Sequence, residues 1–145
     1  MVGSSESEDF DITDSNGSYD FWVVKVNSEG TKLWEKSYGG AEIDIAYAIE
    51  ATGDGKFVII GDSRSINGDV SDAKGNADMW IIQIDGLGNL LWQKSIGGTG
   101  FDTGRGIRKM NDGGFVITGN SRSSDIDVTQ NKGQSDVWNI KIITF

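Results

Sequence analysis

The stretch DMWIIQIDGLGNLLWQKSIGG, residues 78–98, recurs 58 residues earlier as DFWVVKVNSEGTKLWEKSYGG, residues 20–40. A third, shortened copy, DVWNIKI, begins at Asp136. The landmark tryptophans Trp22, Trp80 and Trp138 are 58 apart both times, so the repeat runs without insertion or deletion. Between 20–77 and 78–135, 24 of 58 positions are identical. A fixed period of this size marks stacked supersecondary units rather than one irregular globule. The chain divides into a partial repeat over 1–19, repeats over 20–77 and 78–135, and a partial repeat over 136–145, together one structural unit of about two and a half copies.

Within each copy the hydrophobic period is two. Trp22, Val24 and Val26 share one face and Val23 and Lys25 the other; Trp80, Ile82 and Ile84 oppose Ile81 and Gln83; Trp138, Ile140 and Ile142 oppose Asn139 and Lys141. Alternation kept three times predicts a strand, with the tryptophan face turned to the core. Asn27-Ser-Glu-Gly30 and Asp85-Gly-Leu-Gly88 supply tight turns whose last glycine can take positive φ, leading to strands that end in Leu33-Trp34 and Leu91-Trp92. After Gly39-Gly40 and Gly97-Gly98 come 44–51 and 102–109. There Ala46 and Ala48 align with Gly104 and Gly106, a small-residue face suited to a strand where backbones crowd near an axis. Helix is the alternative for 43–51, but Thr103-Gly-Arg-Gly106 is poor helix material. Phe57 to Ile60 and Phe115 to Thr118 read as the best-buried strands.

The predicted fold is therefore all-β, in antiparallel four-stranded repeats. Tandem units with a tryptophan after an N/D-x-x-G turn resemble the blades of a β-propeller. VNSEGTKLW and IDGLGNLLW are similar to quinoprotein-type and WD40-like blade repeats. The whole period, with its D-x-W, GG, D-G-G-F and G-x-S-x-S elements, resembles repeats found in tandem in large secreted or surface-anchored bacterial and archaeal proteins. That resemblance implies an extracellular or cell-surface location. In quinoprotein-type blades the tryptophan hairpin is the outer half, which implies an outer half, one whole blade and three strands of another, nine strands in all. A ring closes with four or more blades, so the resemblance implies completion by copies of the same chain, as a closed ring or an open filament. The apolar run WNIKIITF, residues 138–145, is expected either as an assembly edge or as an ordinary last strand. Met1 to about Ser7 shows no convincing counterpart in the other copies and is expected to be a disordered or vector-derived leader.

Composition narrows the partners. Net charge is −9, with a sequence pI near 4.3, which repels phosphate backbones and argues against nucleic acid and anionic membranes. No run approaches the roughly 20 apolar residues that span a bilayer. Cysteine and histidine are both missing, which removes disulfides, thiolate metal sites and the commonest general base.

The chemical candidate is a long loop present three times, DITDSNGSYD from Asp11 to Asp20, DVSDAKGNAD from Asp69 to Asp78, and DVTQNKGQSD from Asp127 to Asp136. Aspartates bracket each copy. Asp11, Asp20, Asp69, Asp78, Asp127 and Asp136 are either calcium ligands, because calcium takes six to eight hard oxygens, or acceptors for loop and strand-end amides, as in Asx turns. The spacing is not that of an EF-hand. Arg64 and Arg122, in the repeated Ser-Arg-Ser, are expected to hold the loop by pairing with Asp69 and Asp127.

Repetition argues against catalysis, because an active site needs one unique constellation. Glu35 and Glu50 are unrepeated carboxylates, yet nothing places them as an acid/base pair. Gly97-Gly-Thr-Gly100 lacks the helix and Lys-Ser/Thr of a phosphate loop, and no cofactor other than calcium is indicated. Two functional expectations follow: a non-catalytic self-assembling structural repeat, and, as the alternative, a protein- or glycan-binding propeller module.

Overall fold

A computed structural model of the chain describes residues 1–12 and 14–143; Thr13 of the first aspartate loop, and Thr144 and Phe145 of the expected C-terminal edge, lie outside the described residues. Ten strands are found among the described residues and no helix: β1 (Val2–Ser5), β2 (Asp20–Val26), β3 (Lys32–Tyr38), β4 (Asp44–Ala51), β5 (Phe57–Ser63), β6 (Asp78–Ile84), β7 (Leu90–Ile96), β8 (Asp102–Lys109), β9 (Phe115–Ser121) and β10 (Asp136–Ile142). They form three antiparallel sheets ordered β1-β2-β3, β4-β5-β6-β7 and β8-β9-β10, here the first, middle and last sheets. The sheets do not close into a barrel. The all-β, antiparallel reading of the repeat is thus the observed fold, and sheets of three, four and three strands are compatible with blade-like repeats.

The tenth strand corrects the expectation for the leader. β5 pairs with β6 from Ser63↔Asp78 and β9 with β10 from Ser121↔Asp136; β1 pairs with β2 from Ser5↔Asp20, the same register one period earlier. Met1 also donates its terminal ammonium to the Val24 carbonyl at 2.8 Å. The clue was Gly3 and Ser5, which align with Gly61 and Ser63 and with Gly119 and Ser121, two matches easily lost in a polar run. A second correction concerns β3 and β7. They open rather than end near Leu33-Trp34 and Leu91-Trp92, running on to Tyr38 and Ile96. The turn glycines behave as expected, Gly30 at φ 84° and Gly88 at φ 80°.

Two cores lie between the sheets, one on each face of the middle sheet. Phe21, Val23 and Tyr38 of the first sheet pack on Ile59, Trp80, Ile82 and Ile84. The opposite face packs Val58, Ile60, Met79 and Ile81 against Phe115 and Ile117 of the last sheet. Strand β6 is consequently buried at all seven positions. This corrects the assignment of one core face to every tryptophan. Trp80 is fully buried, but Trp22 points away from the middle sheet and is only half-buried, because Phe21 and Val23 are the side chains that face a neighbour. The last sheet turns Thr118 and Asn139 outward where the middle sheet carries Ile60 and Ile81, a polar outer face of the kind that terminal repeats need for solubility.

The small residues of β4 do not share one face, because the bulge at Tyr47 turns Ala46 into one core and Ala48 toward the other; their size answers crowding in both. β4 packs on β1 and β2, and β8 on β4, β5 and β6. A Cβ at Gly104 would stand 3.0 Å from Met79 and 3.2 Å from Ile60.

Candidate functional site

The six aspartates of the repeated loop divide into two structural roles. Those that open a strand tie their own loop. Asp20 accepts the Asn16 amide at 2.6 Å, Asp78 the Lys74 amide at 2.6 Å, and Asp136 the Lys132 amide. Those that open the loop reach across to the preceding sheet. Asp69 accepts the Gly39 amide at 3.2 Å while its own amide donates to the Gly39 carbonyl at 2.9 Å; Asp127 does the same with Gly97, at 3.1 Å in both directions. Asp11 has no preceding sheet to clasp among the described residues, and its carboxylate pairs instead with Lys32 at 2.7 Å.

Arg64 and Arg122 do not pair with Asp69 and Asp127, contrary to the expectation from Ser-Arg-Ser. Backbone amides take those carboxylates, and the cation near Asp127 is Lys74, at 3.4 Å. The serines around each arginine have their own task. Ser65 donates to Asp44 at 2.8 Å, and Ser123 to Asp102 at 2.6 Å. Asp44 also accepts the Gly40 amide and Asp102 the Gly98 amide, both at 2.8 Å. Asp44 and Asp102 are fully buried and were missed as site residues, though they recur at the 58-residue period like the six that were chosen.

Each junction therefore gathers three carboxylates around one glycine: Asp20, Asp44 and Asp69 at Gly39, and Asp78, Asp102 and Asp127 at Gly97. A Cβ on Gly39 would stand 2.2 Å from Asp20 Oδ1 and 2.5 Å from Asp44 Oδ2, and one on Gly97 2.4 Å from Asp78 Oδ1 and 2.6 Å from Asp102 Oδ2. Glycine is required because the carboxylates press against the backbone itself. Among the described residues, no group of three or more acidic, histidine or cysteine side chains is arranged to hold a metal ion.

Burial sets the electrostatics. Among the described residues, the Oδ1 atoms of Asp20, Asp44, Asp62 and Asp78 are buried without a hydrogen-bond donor. An unsolvated charge is costly, and burial is the first cause raising the carboxyl pKa of Asp20, Asp62, Asp69 and Asp78 above the ordinary 3.8. In the folded state these groups take up protons at a higher pH than in the unfolded chain, so lowering the pH favours folding. The opposite holds for Asp112, held low by Lys141, and for Asp54, held at about 2 by Lys56. Urea midpoints should therefore rise as pH falls from 7 toward about 4, and drop below it as Asp54 and Asp112 are protonated. A midpoint that declines steadily from pH 7 would contradict this balance.

Glu35 and Glu50 lie on different sheets and are occupied separately. Trp22 Nε1 donates to Glu35 at 3.1 Å, and Glu50 lies 3.6 Å from Arg108.

The remaining functional candidates are the unfinished sheets. β1 covers four residues where its counterparts β5 and β9 cover seven. Beside its short end is a cavity of about 250 Å³ lined by Val23, Trp34, Ile49, Phe57 and Ile84. β10 is the outer edge of the last sheet, where the middle sheet continues into β7. A second hollow, of about 460 Å³, runs along Trp138 and Ile140 with Lys94 and Asp127 at its rim. In comparisons with known proteins, no family model matches the chain and no curated protein matches it.

Proposed function

We propose that this chain is a non-catalytic, extracellular or cell-surface structural repeat, a fragmentary propeller whose unfinished blades are completed by copies of itself. The observation that carries the reading is the strand count. Among the described residues, with the middle sheet as the four-strand standard, the first sheet has no counterpart of β4 and the last none of β7, and apolar hollows lie beside the short end of β1 and along β10. Open edges of this kind recruit strands.

Simple abutment of two copies would place β1-β2 and β9-β10 in the same positions. Exchange avoids the duplication. Because β2 aligns with β10 at twice the period, DFWVVKV against DVWNIKI, the β2-β3 hairpin of one copy can pair with β9 of another in native register. The product, β8-β9 followed by a second copy's β2-β3, is a four-strand unit, and every chain then contributes two units to a ring or filament. The four-residue β1 is the cheapest strand to release.

Light scattering over a range of protein concentrations, with calcium and then with chelator, tests the reading. A discrete oligomer supports a ring and growing particles a filament; loss of either on chelation would assign calcium to the aspartate loops. A compact monomer at every concentration rejects self-assembly. The second reading, a glycan- or protein-binding surface module, is favoured by one specific feature, the arginine pocket described next.

A further inference from the structure

Three of the chain's four arginines line one pocket. In a protein of net charge −9, Arg64, Arg105 and Arg122 border a hollow of about 310 Å³ between the middle and last sheets, with Phe101, Asn120 and Ser135 also on its wall. Arg64 exits β5, Arg122 exits β9, and Arg105 is the bulge residue of β8, skipped by the pairing between Gly104 and Gly106. The bulge throws Arg105 toward the middle sheet, where its guanidinium stacks 3.8 Å over the ring of Tyr47, the matching bulge residue of β4. Arg64 lies 5.8 Å over Phe101. None of the three makes a salt bridge among the described residues. Asp62, buried and hydrogen-bonded by Tyr47, carries a charge that acts on Arg105 and Arg64, while the wall of the pocket itself holds, among the described residues, three arginines and no acidic side chain. Thr103 borders it too, with a buried hydroxyl that has no hydrogen-bond partner.

Repetition does not produce this pocket. One period earlier the same positions hold Glu6, Ile43, Tyr47, Asp62, Arg64 and Ala77 in place of Arg64, Phe101, Arg105, Asn120, Arg122 and Ser135. Two acids and one arginine there become three arginines here. This is the unique, unrepeated constellation that the rest of the chain lacks.

We propose that the pocket binds an acidic monosaccharide, with the ring carboxylate on the guanidiniums of Arg64, Arg105 and Arg122. Planar guanidinium forks match carboxylate geometry, and the volume suits one sugar ring. Phe101, 40% exposed, offers a flat apolar wall to the carbon face of the sugar. Asn120 and Ser135 supply the neutral hydrogen-bonding groups that ring hydroxyls need. A monoanion is favoured over phosphate because the surrounding protein is itself strongly acidic. The three arginines, Phe101 and Asn120 belong to parts of one chain that the exchange does not move, so the site does not depend on self-assembly, and failure of either proposal leaves the other standing.

Calorimetric titration of the full chain with D-glucuronate, D-glucose and inorganic phosphate tests it. Glucuronate should bind, with glucose and phosphate at least tenfold weaker. Arg64→Gln and Arg122→Gln, both at exposed positions, should each weaken glucuronate at least tenfold, while Arg108→Gln, beside Glu50 and outside the pocket, should leave it unchanged. No heat with glucuronate, equal binding of glucose, tighter binding of phosphate, or an equal loss in the Arg108 variant would each overturn the proposal.

Discussion

Gly61→Ala should unfold the middle sheet or come close to it. A Cβ at this position would lie 1.8 Å from the Ile45 carbonyl oxygen and 2.6 Å from the Phe21 ring. The bulge in β4 between Ala46 and Ala48 brings that carbonyl in, so the clash is with backbone and no rotamer relieves it. Overpacking against movable side chains costs about 1–3 kcal/mol; against a fixed carbonyl in the central core the cost should reach about 4 kcal/mol, in the range that marks a named structural failure. For a chain of this size that is a fall in Tm of roughly 10 °C or more. Gly119→Ala meets the Thr103 carbonyl at the same 1.8 Å and should behave alike, and because the β8 bulge carries Arg105 it should also disturb the arginine pocket. Gly3→Ala is the internal control. It holds the same repeat position in β1 but faces nothing within 4 Å, and should stay within about 0.5 kcal/mol of the parent. Thermal melts of the three variants decide the matter; similar midpoints for Gly3→Ala and Gly61→Ala would show that the bulge does not press on Gly61.

The contrast between Gly3 and Gly61 shows what a repeat discloses and what it conceals. Period-two alternation, the turn glycines and the 58-residue register were legible because they are local or periodic, and they specify the strands after β1, their antiparallel pairing and a two-four-three division that β1 turns into three-four-three. Environment is not periodic in a chain with two ends. β1 was hidden because only Gly3 and Ser5 keep the pattern. Asp44 and Asp102 were legible as recurring letters but not as buried acceptors, since the glycine amide each accepts lies four residues back but the serine that donates to it lies 21 residues on, after the next strand. The arginine pocket needed tertiary information of another kind. Arg105 replaces Tyr47 at the equivalent bulge, and only the packing of one sheet on the next reveals that the two stack.

The tryptophans carry the same lesson into a second large effect. Trp22, Trp80 and Trp138 are equivalent in sequence, yet Trp80→Ala should cost about 3–5 kcal/mol, the usual range for emptying a fully buried aromatic site. Its ring has no exposed surface, packs 4.7 Å from Phe21 between centroids, and donates through Nε1 to Gln93 at 2.8 Å. Removing it opens a cavity in the core that joins the first and middle sheets and leaves Gln93 short of a donor. Trp22 makes the corresponding hydrogen bond, to Glu35, but stands half-buried on the outward face of the first sheet, so Trp22→Ala should cost the isolated chain about 1 kcal/mol or less. In the proposed exchanged assembly that outward face would meet the sheet of another copy, and Trp22 would be buried as Trp80 already is. Denaturation at low concentration should therefore separate the two variants widely, whereas light scattering at high concentration should find Trp22→Ala defective in assembly. Equal stability losses at low concentration would mean that the outer face of the first sheet is covered within a single chain, and a Trp22 variant that assembles as well as the parent would exclude that face from the contact between copies.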